Sequence, residues 1–191
     1  KLTLSDETFS NLALKFIEDA SVYSKSSANT GNDQELNLIY YTNEYSIIYT
    51  RLNLQHLGLS SNTTILDAKI GLTTTPNNNQ HPMIISSHTY SGPNWLEDEI
   101  RYGYSSIGQA WNNGGIEYIQ QSTDVEAVSA VSSYDVINFD FDFAAQQAVQ
   151  SNTSKHVDIA LIGLGADETT STYNELSFFS SESNNGHEPV V

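Results

Sequence analysis

Cysteine is absent from this chain, which excludes disulfide staples, thiolate nucleophiles and thiolate metal sites. Positive charge is scarce as well: seven Lys and Arg stand against 23 Asp and Glu, for a formal charge of −16. A field of that sign repels phosphate backbones and anionic headgroups, so neither nucleic acid nor a membrane surface is an expected partner. No apolar run approaches the roughly 18 residues of a membrane-spanning helix, so membrane insertion is not expected either.

What the chain does hold is Ser, Thr, Asn, Tyr and β-branched residues, a mixture suited to short strands joined by polar turns. Its 191 residues suit one domain with a single core. Strands are expected near 22–25, 36–41, 46–54, 65–74, 83–89, 116–121, 135–141, 157–164 and 176–180, with a hairpin turn at 42–44. Between 65 and 74, alternation puts Ile65, Asp67, Lys69 and Gly71 on one side and Leu66, Ala68, Ile70 and Leu72 on the other. In the same way Phe139, Phe141 and Phe143 are expected to face inward, and Asp140 and Asp142 outward. One short helix is expected at 143–150. The segment 91–115, with both Trp residues, reads as a long irregular connection, and such connections are often functional. The expected fold is therefore all-β, an antiparallel β-sandwich with one short helix, over residues 12–191. Residues 1–11 form an N-terminal arm, either helix or strand, that is a possible donor strand.

No catalytic constellation is legible. The run Ile162-Gly163-Leu164-Gly165-Ala166-Asp167-Glu168 imitates a dinucleotide fingerprint, but Glu168 replaces the third Gly and no βαβ unit surrounds it. It reads as a strand ending in a turn. The five His show no metal-binding pair at helical spacing. Glu97 and Glu99 lie in one acidic run, which supplies neither the cleft nor the raised pKa of a glycosidase pair. A non-enzyme is expected. Clustered carboxylates are a different matter, since calcium takes six to eight oxygen ligands from Asp, Glu, Asn and carbonyls. Asp140 and Asp142 are one such candidate, bridging subunits. Trp95, Tyr102 and Trp111, within one connection, are candidate platforms for sugar rings, against the alternative that they fill the core. Two sequons, at Asn62 and Asn152, are candidate glycosylation sites.

A spaced series of motifs resembles the DNRLRE-type domains. It runs through Asp19-Ala20-Ser21-Val22-Tyr23, Asn29-Thr30-Gly31, Tyr49-Thr50-Arg51-Leu52-Asn53-Leu54 and Ile65-Leu66-Asp67-Ala68-Lys69-Ile70. It continues with Trp95-Leu96-Glu97-Asp98-Glu99-Ile100, Trp111-Asn112-Asn113, Asn138-Phe139-Asp140-Phe141, Ile159-Ala160-Leu161-Ile162 and Phe178-Phe179-Ser180-Ser181-Glu182. The resemblance implies a jelly-roll module of secreted and cell-surface proteins, similar to carbohydrate-binding modules, and an intramolecular calcium site at Asp19, Asp33 and Glu182. The chain departs from the pattern in having only Pro189-Val190-Val191 where a longer last strand is usual, which suggests an incompletely filled sheet edge.

These readings converge on a non-enzymatic extracellular structural subunit of a surface fibre, tube or coat, in processed form. Its expected partners are copies of itself, joined by strand addition and calcium bridging. The alternative is a carbohydrate-binding or adhesion module whose partner is a polysaccharide.

Overall fold

A computed structural model describes residues 2–4, 8–9, 17–41, 44–76, 83–128, 132–151, 155–165 and 173–191. The strands are β1 (Leu2–Leu4), β2 (Thr8–Phe9), β3 (Ile17–Tyr23), β4 (Glu35–Tyr41), β5 (Glu44–Asn53), β6 (Ile65–Thr73) and β7 (Met83–Tyr90). They continue with β8 (Tyr104–Ser106), β9 (Gln109–Ala110), β10 (Ile119–Val128), β11 (Val136–Asp140), β12 (His156–Gly165) and β13 (Asn174–Phe179). One α-helix, α1 (Asp142–Gln150), follows β11. Every ladder is antiparallel, and the fold is an all-β sandwich with one short helix.

The first sheet runs β10-β7-β12-β5, and β3 closes the far edge of β5. In the second, β6 pairs with β11 on one edge and β1 on the other. The β4–β5 hairpin ties the layers together. These strands pair only at Tyr40↔Tyr45 and Tyr41↔Glu44, after which β3 takes over the edge of β5. Strand β4 instead pairs with β13, and β13 reaches the end of β6 through a Thr74↔Phe178 bridge.

Between the layers lie Leu36, Leu38, Ile48, Ile70, Leu72, Ile85, Phe139, Leu161 and Phe178, all buried. The opposite face of the first sheet carries a second cluster, with Val22, Ile47 and Tyr49 beneath Tyr90, Trp95, Ile100 and Trp111. The long connection after β7 is thus a lid over that face. It contains the small β8–β9 hairpin and a 3-10 segment at Asn113–Tyr118.

Two expectations of alternation fail, each for a local reason. Phe139 and Phe141 are buried, but Phe143 is 69% exposed, because the helix begins at Asp142 and the period changes from 2 to 3.6. On β6, Ile65 is buried with Ala68, Ile70 and Leu72 while Leu66 is exposed, so these two residues have exchanged the sides that strict alternation gives them. Leu4 pairs with Ile65 and Thr3 with Asp67, so Leu66 is a bulge residue with no partner in the ladder, and the facing flips across it.

The arm is strand, not helix, at Leu2–Leu4 and Thr8–Phe9, and it pairs with β6 of its own chain. Farther along the same edge, the Val190 N–H donates to the Gly71 carbonyl at 2.9 Å and the Gly71 N–H to the Val190 carbonyl at 2.7 Å. Both terminal segments therefore cover one edge of β6.

Candidate metal centre

Alternation along β3 sends Ile17, Asp19 and Ser21 to one face and Ala20 and Val22 to the other. Ile17 joins the inter-layer core, so Asp19 falls in an inward row and is wholly buried. Its carboxylate meets those of Glu97 and Glu182, with ligand-capable oxygens all within 4.8 Å of one another.

Each partner is fixed by short-range chemistry. Asn29 Nδ2 donates to the Glu97 carbonyl at 2.8 Å and to the Ile100 carbonyl at 2.9 Å, clamping the turn that carries Glu97. Gly31 lies directly beneath that turn, where a Cβ would sit 1.8 Å from the Glu97 carbonyl oxygen. Thr30 Oγ1 accepts the Ser21 N–H at 3.0 Å and anchors this loop to the edge of β3. Glu97 Oε1 accepts the Asp19 N–H at 2.7 Å. Glu182 follows β13 in a turn held by Ser180, whose Oγ donates to the Asp33 carbonyl at 2.6 Å. The Ser181 N–H donates to Asp19 Oδ2 at 3.0 Å, and Ser181 Oγ donates to Glu182 Oε1 at 2.8 Å.

Two of the remaining oxygens point at no donor. Asp19 Oδ1 and Glu182 Oε2 are buried without a hydrogen-bond partner. Burial raises the Asp19 pKa well above the usual carboxylate range, and the Glu182 charge and, less strongly, that of Glu97 add to it against the Ser181 N–H. Burial likewise pushes Glu97 up to about 7, opposed by the Asp19 N–H and reinforced by Glu182, Glu18 and Asp98. At an effective dielectric of about 20, two unit charges this close repel by about 3–4 kcal/mol. A cation among them reverses the sign of that term. The donor set holds carboxylate oxygens and no nitrogen or sulfur, which selects a hard ion such as calcium or magnesium.

Of the residues expected at such a site, Asp19 and Glu182 come together and Asp33 does not. Asp33 is exposed and contributes only backbone: its carbonyl accepts from Ser180 and its N–H donates to Thr30. Glu97 takes its place. The signal for it was present in the Asn29-Thr30-Gly31 motif, whose small and amide residues exist to receive the Glu97 turn. Asp140 and Asp142 do not join a metal cluster among the described residues. Asp140 pairs with Lys69 at 3.0 Å, and Asp142 Oδ1 accepts the Ala68 N–H.

The aromatic platform is corrected as well. Trp95 is fully buried and Trp111 5% exposed, so neither presents a face to a sugar. Arg51 stacks on Trp95 at 4.6 Å, while Trp111 Nε1 donates to the Arg101 carbonyl at 2.8 Å. Tyr102 is half-buried, its hydroxyl 3.4 Å from that of Tyr45. Asn62 lies exposed in a turn, whereas Asn152 is outside the described residues. No family model and no curated protein matches the chain.

Proposed function

We propose that this chain is a non-enzymatic, extracellular structural subunit whose sandwich is completed by one calcium ion at Asp19, Glu97 and Glu182. The observation that carries the reading is the unpartnered Asp19 Oδ1, wholly buried and facing two further carboxylates. A buried charge without a partner is costly, and a chain of −16 has few cations of its own to supply. Three carboxylates completed by water and carbonyls suit the affinity of extracellular modules, roughly 10⁻⁴–10⁻³ M, filled where calcium is plentiful. The resemblance to DNRLRE-type surface modules supports the same address. Association with further copies would run through exchange of the Leu2–Leu4 strand, each copy donating it to the β6 edge of the next.

Calorimetric titration of the chelator-treated protein with calcium tests this reading. One saturable site per chain is expected, lost in Glu97→Gln, and retained binding in that variant would refute the ligand set.

A second reading, polysaccharide binding, rests on a different place. A groove of about 890 Å³ opens between α1 and the ends of β7 and β12, lined by Gln120, Asp142, Gln147, His156 and Asp158 among others. Phe143 lines it as well and is largely exposed, as a stacking face for a sugar ring requires. Phe143→Ala should abolish any polysaccharide retention in affinity electrophoresis, while Trp95→Ala should act only by unfolding.

A further inference from the structure

The segment that delivers Glu182 to the metal centre also covers β6. From Glu182 the chain passes His187, whose ring stacks on Phe179 at 5.3 Å and lies tilted against Tyr134 at 4.7 Å, those two rings being stacked on each other at 6.0 Å. It then pairs Val190 with Gly71 and buries Val191, 1% exposed, in the inter-layer core. Ser181, beside Glu182, is joined to Asp19 by its N–H. The root of this tail therefore carries a carboxylate pressed against two others, and its tip supplies the backbone partner of Gly71.

We propose that the cation at Asp19, Glu97 and Glu182 locks the 180–191 tail onto β6, and that its removal opens the Gly71 edge to strand pairing with a second copy. The inference rests on the calcium reading above and adds its consequence. Without the ion, Glu182 is repelled at the root of the tail, and the tip is held by the Val190–Gly71 backbone pair, the His187 ring contacts and the buried Pro189 and Val191 side chains. Displacing the tail frees the N–H and C=O of Gly71 on an edge already continued by β1, and such an edge recruits another strand. The incoming strand is that of a second copy, whose own Val190 and Val191 segment fits this edge.

Coupling of this kind is reciprocal, so it is measurable from both ends. Hydrogen exchange of the whole chain, followed by NMR in calcium and in chelator, is read at Gly71 and Val190 and at the Ile48 and Leu161 amides of the β5–β12 ladder. The expected result is at least tenfold faster exchange at Gly71 and Val190 in chelator, with less than twofold change at Ile48 and Leu161. Val190→Pro, which removes the donor to Gly71 and no metal ligand, should weaken calcium binding about tenfold. Val191→Ala should do so to a lesser degree, should the proline variant fail to fold. Light scattering should show growth in chelator that calcium reverses. Equal changes at all four amides, or an unaltered calcium affinity in both tail variants, overturns the lock while leaving the calcium site standing. Absence of saturable calcium binding by the unmodified chain overturns both.

Discussion

Asp19 is one residue in an inward row, and its neighbours decide what it does to stability. Glu97, held up to about 7 against an ordinary 4.5, keeps a proton in the folded chain that the unfolded chain has released; Asp19 is raised likewise. The folded state then binds more protons between those values, so stability present at low pH is lost as pH rises from about 4.5 through 7. In chelator, the melting temperature should be higher at pH 5 than at pH 8, and Glu97→Gln should flatten the difference. Saturating calcium should flatten it too, since the ion favours the charged forms. A profile unchanged by Glu97→Gln would remove the carboxylate cluster as its cause. Gly31 acts at the same scale. Gly31→Ala puts a Cβ into the Glu97 carbonyl, so the loop must shift and carry the ligand with it. Calcium affinity should fall tenfold or more in a titration, in a variant that alters no ligand.

Helix α1 does for β6 what a strand would otherwise do. Past the end of β11 the edge of β6 still has donors, and α1 answers them one turn apart: Asp142 accepts from Ala68 N–H and Gln146 Oε1 from Ile65 N–H at 2.7 Å. Each lost acceptor leaves a buried donor unsatisfied, a cost of about 1–3 kcal/mol. Asp142→Ala with Gln146→Ala should therefore lower unfolding free energy by about 2–6 kcal/mol in denaturant titration, and a change below about 1 kcal/mol would refute the helix as edge partner. The sequence made most of the main strands, the short helix and the long connection legible, because alternation and turn residues are local signals. But β3, expected at 22–25, is Ile17–Tyr23, and β10, expected at 116–121, is Ile119–Val128. What it did not disclose were departures from alternation. The bulge at Leu66 depends on which residues of β1 lie opposite, and Phe143 faces out because helix replaces strand one residue earlier. Glu97 was not placed beside Asp19 for a similar reason: an acidic run shows three carboxylates, and only the Asn29 clamp selects which one turns inward. Trp95 and Trp111 look like a platform in the sequence, yet the connection folds face-down and makes them a second core.

For the whole molecule, net charge and the metal centre act in the same direction. Calcium that binds only the folded chain should stabilise it by about 2.7 kcal/mol at one hundred times its dissociation constant. At about 2–4 °C per kcal/mol for a chain of this size, the melting temperature should rise by about 5–10 °C. Magnesium should give less, since it demands a stricter octahedral geometry, and an equal shift from sodium at matched ionic strength would indicate general screening instead. The two terminal segments carry a consequence for chain topology. Leu2 faces Ala68 and Val190 faces Gly71, both antiparallel to β6, so the ends follow one another in a single direction along one line, about 10 Å apart by strand rise. A short peptide joining residue 191 to residue 1 would close this stretch of chain into a ring without crossing either layer. Reopened at the exposed Gly58 turn, that ring would keep every ladder while exchanging the order in which they are synthesised.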